Sequence, residues 1–388
     1  KGVCANLRWR AKIHRKVLDD PSYVDIIKDA CSRDPLFFIN GFTYTHDTRR
    51  EPFSKLPFIL YPFQEEGVLE IISAINDHDL LIEKSRDMGA SWITLAAIFW
   101  CWRFRSGRDF LLGSRNDEYV DKAGNPKALF QRLDFLLDNL PVWLMPEGFR
   151  RSEYRTKSHI ENPENKSIID GEATTGSFAR GDRRSAILLD EFADVDMGHR
   201  ILSATRDATK CRLFNSTPQG VANAFFDLTQ TNIKKLRLHW SLHPIKSEGL
   251  YTTNENGLLK ILDKKGYPED YNPILDGKLR SSWYDLQCER AASSQEIGQE
   301  LDIDYLGSGY QYFNSALIDE AIRKYVRPPI MIGDLEYDET TGDPIRFREN
   351  SKGNLKLWCL LDKKGDPLVD NKTILGNDIS AGTGASNS

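Results

Sequence analysis

The chain contains no apolar run approaching the roughly eighteen residues that a helix needs to cross a bilayer. Its first residues, Lys1-Gly2-Val3-Cys4, have none of the character of a secretory leader. No membrane partner is expected. No two cysteines stand as C-x-x-C; Cys4, Cys31, Cys101, Cys211, Cys288 and Cys359 are scattered. That argues against a zinc site or a disulfide frame and for reduced thiols in a cytosolic protein. Positive charge is not in excess either, since 52 Lys and Arg face 57 Asp and Glu for a net charge of −5. The molecule is therefore not coated in basic charge, although a local basic groove for nucleic acid stays open.

What is present is the composition of a soluble globular protein, 40% hydrophobic and 28% charged. At 388 residues it exceeds one ordinary domain, which predicts one large core and at least the beginning of a second. The organising stretch is Leu80 to Trp102, LLIEKSRDMGASWITLAAIFWCW. A short apolar run breaks into a polar loop with Gly89 near its end, and the loop opens into a long apolar segment: strand, loop, helix. In that layout loop N–H groups and the positive end of a helix dipole converge on phosphate. The pattern G-x-x-x-x-G-K-[ST] would set glycines at 84 and 89, lysine at 90 and a hydroxyl at 91. This chain has Lys84, Gly89, Ala90 and Ser91. The lysine is missing from its usual place, so Lys84 and Arg86, the basic residues of the loop, are left to neutralise a phosphate. A buried strand turning through Gly89 into a core helix would read the same way.

Lys1 to Arg50 is a charged leader with a helical pattern at Tyr23 to Cys31 and an aromatic pair, Phe37-Phe38, to which no chemistry is assigned. Leu60-Tyr61-Pro62-Phe63-Gln64 leads into a helical pattern over Glu65 to Ile75. An amide both donates and accepts, so Gln64 can read adenine, or it can simply start a helix. Strands are predicted at Asp109–Gly113, Ser167–Gly171, Ala186–Leu189, Cys211–Phe214 and Leu236–Trp240, and a second amphipathic helix at Ala128–Leu140. The strand Ala186–Leu189 is apolar throughout, as a parallel strand covered on both faces should be, and it ends in Asp190-Glu191. Two adjacent carboxylates there need a partner, and phosphate-bound Mg²⁺ is a natural one. Asp190 would hold the metal, and Glu191 would activate the attacking water. A helix cap after a core strand is the plainer alternative. Asn215-Ser216-Thr217-Pro218-Gln219-Gly220 makes a turn whose hydroxyls, Ser216 and Thr217, could sense the terminal phosphate or merely close an ST turn. Strands alternating with helices, with chemistry at the strand ends, indicate an α/β fold with a mainly parallel sheet and the ligand above its carboxyl edge.

The set YPFQ (61 to 64), KSRDMGAS (84 to 91), ILLDE (187 to 191) and NSTPQG (215 to 220) resembles the large terminase subunit of tailed bacteriophages. In that family the phosphate loop often has the form K-S-R-Q-x-G-x-S, with its basic residues shifted forward, which accounts for Ala90; Asp87 stands where glutamine is commoner. Gln287 to Asp304 resembles the family's linker between ATPase and nuclease, and the likeness runs over roughly residues 55 to 388.

The resemblance implies a P-loop NTPase of the ASCE type followed by an RNase H-like nuclease. The boundaries read as a helical leader (1–55), an ATPase domain (56–300), a linker (301–355) and the start of the nuclease domain (356–388). The implied nucleotide site uses Gln64, Lys84, Ser85, Arg86, Gly89, Ala90 and Ser91 with ATP, and Ser91 and Asp190 with Mg²⁺. Glu191 is the implied base, with Ser216 and Thr217 coupling hydrolysis to movement. Arg180, between Gly176 and Gly181, could reach a neighbouring subunit's site, with Arg183 and Arg184 as rivals. Asp378 in TILGNDISAGTG resembles the first nuclease metal ligand; no Asp or Glu follows it here, so that site is incomplete. Implied partners are double-stranded DNA, the portal protein of the procapsid, the small terminase subunit and further copies in a ring, in the host cytoplasm. A helicase-like translocase without a capsid role, and a nucleotide-binding scaffold that no longer hydrolyses ATP, remain open readings.

Overall fold

Uniformly apolar strands demand a sheet with cover on both faces. The computed structural model describes residues 2–175, 178–181, 183–309, 321–364 and 368; those up to 309 form one unit and those from 321 a second. The first unit opens with α1 (Val3–Asp19), α2 (Tyr23–Arg33) and α3 (Pro35–Phe42). Asp34 caps α3 by accepting from the Leu36 and Phe37 N–H groups, with Pro35 in the first turn. A hairpin of β1 (Tyr44–His46) and β2 (Lys55–Pro57) precedes α4 (Pro62–Ala74). Next come β3 (Leu80–Lys84), α5 (Ala90–Phe104), β4 (Asp109–Ser114), α6 (Asp117–Val120) and α7 (Leu129–Asp138). The strands β5 (Arg155–Thr156), β6 (His159–Glu161), β7 (Ile168–Ala173), β8 (Ala186–Asp190), β9 (Arg212–Ser216) and β10 (Lys234–Leu238) complete the core.

Eight strands form one sheet in the order β10-β3-β9-β8-β4-β7-β6-β5. The six from β10 to β7 are parallel, while β6 and β5 add an antiparallel edge for which the apolar pattern held no signal. The mainly parallel α/β core read from the sequence is the observed fold. Alternate residues feed two cores. Leu80, Ile82, Leu112, Leu188 and Leu213 pack with α4, α5 and α7, whereas Leu81, Leu111, Ile187, Leu189 and Phe214 pack with Phe178, Phe192 and Phe225.

Nearly every residue of α5 from Ala90 to Arg103 is buried; a helix apolar on all sides needs neighbours on all sides. The N-terminal helices supply some of them, and Trp100 Nε1 donates to the Cys31 carbonyl at 2.8 Å. At the far end of α5 the buried Arg103 donates to the Leu144 carbonyl (2.6 Å) and pairs with Glu164 (3.2 Å).

Register decides which polar strand ends meet. Asp190 lies beside Asn215 and Glu83 beside Ser216, so β3, β9 and β8 end on the same edge of the sheet. Beyond β10 the unit carries a hairpin of β11 (Tyr251–Thr253) and β12 (Leu259–Ile261), a helix at Ser282–Arg290 and a π-helical turn at Gly298–Asp302. The second unit holds a three-stranded antiparallel sheet, β14-β13-β15, built from β13 (Met331–Tyr337), β14 (Pro344–Glu349) and β15 (Leu355–Leu357). Asp378 and the segment Thr373–Gly384 around it lie outside the described residues. Among the described residues no helix is long and apolar enough to cross a membrane.

Leu188 is fully buried between β4 and β9. Leu188→Ala is expected to destabilise the first unit by about 2–5 kcal/mol through lost burial and the cavity left behind, measured by denaturant unfolding; a shift under about 0.5 kcal/mol would contradict this packing.

Candidate nucleotide-binding and active site

The loop after β3 is shaped by backbone that few residues adopt. Gly89 caps α5 at φ +77°, a conformation that strains other residues, and a Cβ there would stand 2.7 Å from Gln64 Nε2 and have to displace that amide. Asp87 also has positive φ, +59°. The loop is held from outside, through its carbonyls, the Ser85 hydroxyl and the N–H groups of Arg86 and of Ser85, the last donating to the Leu238 carbonyl at 3.0 Å. Gln64 Nε2 donates to the Met88 carbonyl (3.1 Å) while its Oε1 accepts from Tyr61 N (3.1 Å) as part of the α4 capping box. Lys246 Nζ donates to the carbonyls of Arg86 (2.8 Å) and Asp87 (3.2 Å). From the π-helical turn, the Glu300 carbonyl accepts from Arg86 N (2.6 Å), and the Leu301 carbonyl accepts from Ser85 Oγ (2.5 Å).

Facing the loop is the carboxyl end of β8. Asp190 is buried and accepts from Ser91 Oγ (3.1 Å) and from Asn215 Nδ2 (2.5 Å). Glu191 turns out of the strand at φ +54°, and Lys84 Nζ donates to its Oε1 at 2.7 Å. Burial, then the neighbouring Glu191 charge, raise the Asp190 pKa against Lys84, Arg132 and Asn215. For Lys84 burial opposes the charge, but Glu191 and Asp190 outweigh it and its pKa is raised. The Asn215 Oδ1 atom is buried without a partner.

A hard cation fits this set. Ser91 Oγ and the Asp190 carboxylate are oxygen donors 3.1 Å apart, and Mg²⁺ accompanying phosphates needs only one or two protein ligands. Among the described residues no cluster of three or more His, Cys, Asp or Glu could hold a metal by itself, so the oxygens of a phosphate and of water would have to complete the shell.

The cleft above has a volume of about 1300 Å³, and its walls include Gln64, Lys84, Arg86, Gly89, Ala90, Ser91, Asp190, Glu191, Ser216 and Thr217. The structure thus gathers most of the residues singled out from the sequence. Ser85 is not among the walls: it is fully buried, and its hydroxyl also accepts from Trp240 N at 3.0 Å. Arg86 lines the cleft but is ion-paired to Glu300 at 3.0 Å. Ser216 is buried with its hydroxyl accepting from Ala193 N (3.2 Å), in the turn that comes after Glu191. Arg180 is exposed on a turn with Ala179 at φ +55° and Gly181 at φ +82°, and it does not line the cleft. Of its rivals, Arg183 is exposed, and Arg184 is held by Asp170 at 2.5 Å.

Several participants carry no sequence signal. Asn215 opens the NSTPQG turn, and only its register opposite Asp190 reveals it. Arg49, Arg50, Arg115, Lys127 and Arg132 also line the cleft, from segments with no local signature of phosphate chemistry. Asp87 is paired with Arg49 at 2.6 Å.

No protein-family model matches the sequence, and no curated protein matches it. Solved structures do. Large terminases are among them. That of bacteriophage HK97 is 12% identical at a TM-score of 0.45, with 79% of this chain and 62% of that one covered. The large terminase ATPase domain of Thermus phage P74-26 is 15% identical at 0.39, covering 61% of this chain and 93% of that one. A large terminase from a thermophilic bacteriophage is 13% identical at 0.35, covering 46% of this chain and 45% of that one; it has also been solved with ADP and with ATP-gamma-S. The chain therefore spans less than half of the last protein and less than two thirds of the HK97 terminase.

Asn215→Ala removes the donor that Asp190 shares with Ser91. Hydrogen bonds to buried charge are worth about 1.5–3 kcal/mol, so Mg²⁺-dependent ADP affinity should fall about tenfold or more by titration calorimetry. Unchanged affinity would remove Asn215 from the site.

Proposed function

We propose that the chain is the ATP-hydrolysing motor of a large terminase, which drives double-stranded viral DNA into a procapsid. One observation carries the ATPase reading: Ser91 meets Asp190 at 3.1 Å, and Lys84 meets Glu191 at 2.7 Å, at one edge of a parallel sheet beneath the start of α5. MgATP supplies the transferable phosphoryl group. In this reading Ser91 and Asp190 hold Mg²⁺, the loop N–H groups from Asp87 through Ser91 wrap the phosphates, and Lys84 and Arg86 neutralise them. Gln64, a cleft-wall residue whose amide is bonded to the Met88 carbonyl and the Tyr61 N–H, is the residue this reading assigns to adenine.

The ion pairs found here are what a phosphate would exchange. Lys84 leaves Glu191 for the incoming charge, and the freed Glu191 carboxylate takes a proton from the attacking water. Ser216, bonded to the turn after Glu191, and Thr217 beside it relay the change. Arg180, exposed and away from its own cleft, acts on the neighbouring subunit of a ring.

The motifs at 61–64, 84–91, 187–191 and 215–220 support the packaging role, with portal protein and small terminase subunit as partners and the host cytoplasm as the setting. The same reading divides the chain into a leader (1–55), ATPase (56–300), linker (301–355) and the start of an RNase H-like nuclease (356–388). Asp378 would be a metal ligand of that nuclease.

Glu191→Gln should bind nucleotide normally and lose about two to four orders of magnitude of ATP turnover; retention of more than about a tenth would refute Glu191 as the base. Arg180→Ala and Glu191→Gln proteins, each inactive alone, should recover portal-stimulated ATPase when mixed, because some interfaces then pair an intact base with an intact arginine. Full activity of Arg180→Ala alone, or no recovery in assembled mixed rings, would rule out a trans role. Wild-type ATPase that DNA stimulates but portal neither binds nor stimulates would favour a helicase-like translocase instead.

A further inference from the structure

Lys246 belongs to none of the motifs, yet it lies directly behind the phosphate loop. It is 7% exposed, and its ammonium donates to the Arg86 and Asp87 carbonyls at 2.8 and 3.2 Å. The Met88 sulfur is 3.8 Å away, and the amine lies over the Trp283 ring, 4.7 Å from its centroid. Ser281 Oγ donates to the Lys246 carbonyl at 2.6 Å, tying this backbone to the start of the helix Ser282–Arg290. These partners are carbonyls, a thioether and a ring rather than a carboxylate, a costly way to bury a cation.

In a loop whose N–H groups converge on an anion, the carbonyls face outward. A cation on those carbonyls polarises the peptide groups, strengthens the inward N–H donors and adds positive potential where the phosphates would sit. Position 90 holds alanine, so the loop lacks the lysine that the G-x-x-x-x-G-K-[ST] pattern places there. We propose that Lys246 is a positioning residue for the nucleotide's phosphates, holding the segment Arg86–Met88 in its anion-binding shape and supplying from behind part of the charge that Ala90 cannot. This rests on reading the loop as a nucleotide site.

ADP binding by calorimetry tests it, with thermal melting to confirm folding. If the wild-type chain does not bind ADP, the reading of the loop fails, and this inference with it. If it binds, Lys246→Met should weaken ADP about tenfold or more, while Lys246→Arg, which keeps the charge, stays within about threefold. AMP, without the β-phosphate that such a loop encloses, should lose little in either variant. Equal ADP affinity in wild type and Lys246→Met would overturn the inference, as would equal losses for ADP and AMP.

Should Lys246→Met not fold, pH decides. Burial, opposed by Asp87 and assisted by Arg49, lowers the amine to about 8. The other charged groups around it are Arg86 and Glu300, paired with each other, and Arg290 and Glu296 across a small cavity. The charged amine is the binding form, and a bound anion raises its pKa. Wild-type ADP affinity should therefore fall as pH rises through about 8, and that of Lys246→Arg should not. Parallel profiles would overturn the proposal.

Discussion

Two adjacent carboxylates at the end of a buried strand are the constraint around which the rest of the site is arranged. Asp190 is almost wholly removed from water, and Glu191 is the next residue. Left alone, such a pair would be protonated or would pull the strand end into solvent. Three groups prevent this: the Ser91 hydroxyl from the start of α5, the Asn215 amide from β9 and the Lys84 ammonium from β3. Each reaches the pair only because β9 lies between β3 and β8 and all three run the same way. A slip of one residue in β9 would turn Asn215 to the opposite face of the sheet. The order of the central strands and the neutralisation of the acid pair are thus one requirement seen at two scales.

The loop between β3 and α5 answers a second requirement. A loop that turns its N–H groups inward leaves its carbonyls to be satisfied elsewhere, and here α4 and a lysine distant in sequence do so through Gln64 and Lys246. The π-helical turn adds a grip on Arg86 N and on the Ser85 hydroxyl, so the last part of the first unit is bonded to the loop itself. The pairs Arg49–Asp87 and Arg86–Glu300 are of another kind. Both arginines are more than half exposed, as is Asp87, and pairs in that setting are worth roughly 0–1 kcal/mol. They can be exchanged for a phosphate at little cost, whereas the buried contacts of Gln64 and Ser85 cannot.

Local pattern was enough for the elements whose cause is local. An unbroken apolar run means a strand covered twice, and β3, β4, β8 and β9 form close to where Leu80–Ile82, Asp109–Gly113, Ala186–Leu189 and Cys211–Phe214 were read. Gly89 and the apolar stretch after it specified the turn and α5, because only glycine takes that backbone easily and a helix apolar all round has one place to go. Lys84, Ser91, Asp190 and Glu191 were legible for the same reason: each sits at the end of an element the sequence delimits. Tertiary structure alone decided which strand ends meet, and hence that Asn215 serves Asp190 while Ser85 turns inward to Leu301. It alone brought Arg49 to Asp87 and Lys246 beneath the loop, across separations of 38 residues and about 160 residues respectively. Hydrophobic periodicity records whether a residue faces the core; it holds no record of which distant polar group shares that burial, because such partners are chosen by the packing of whole elements.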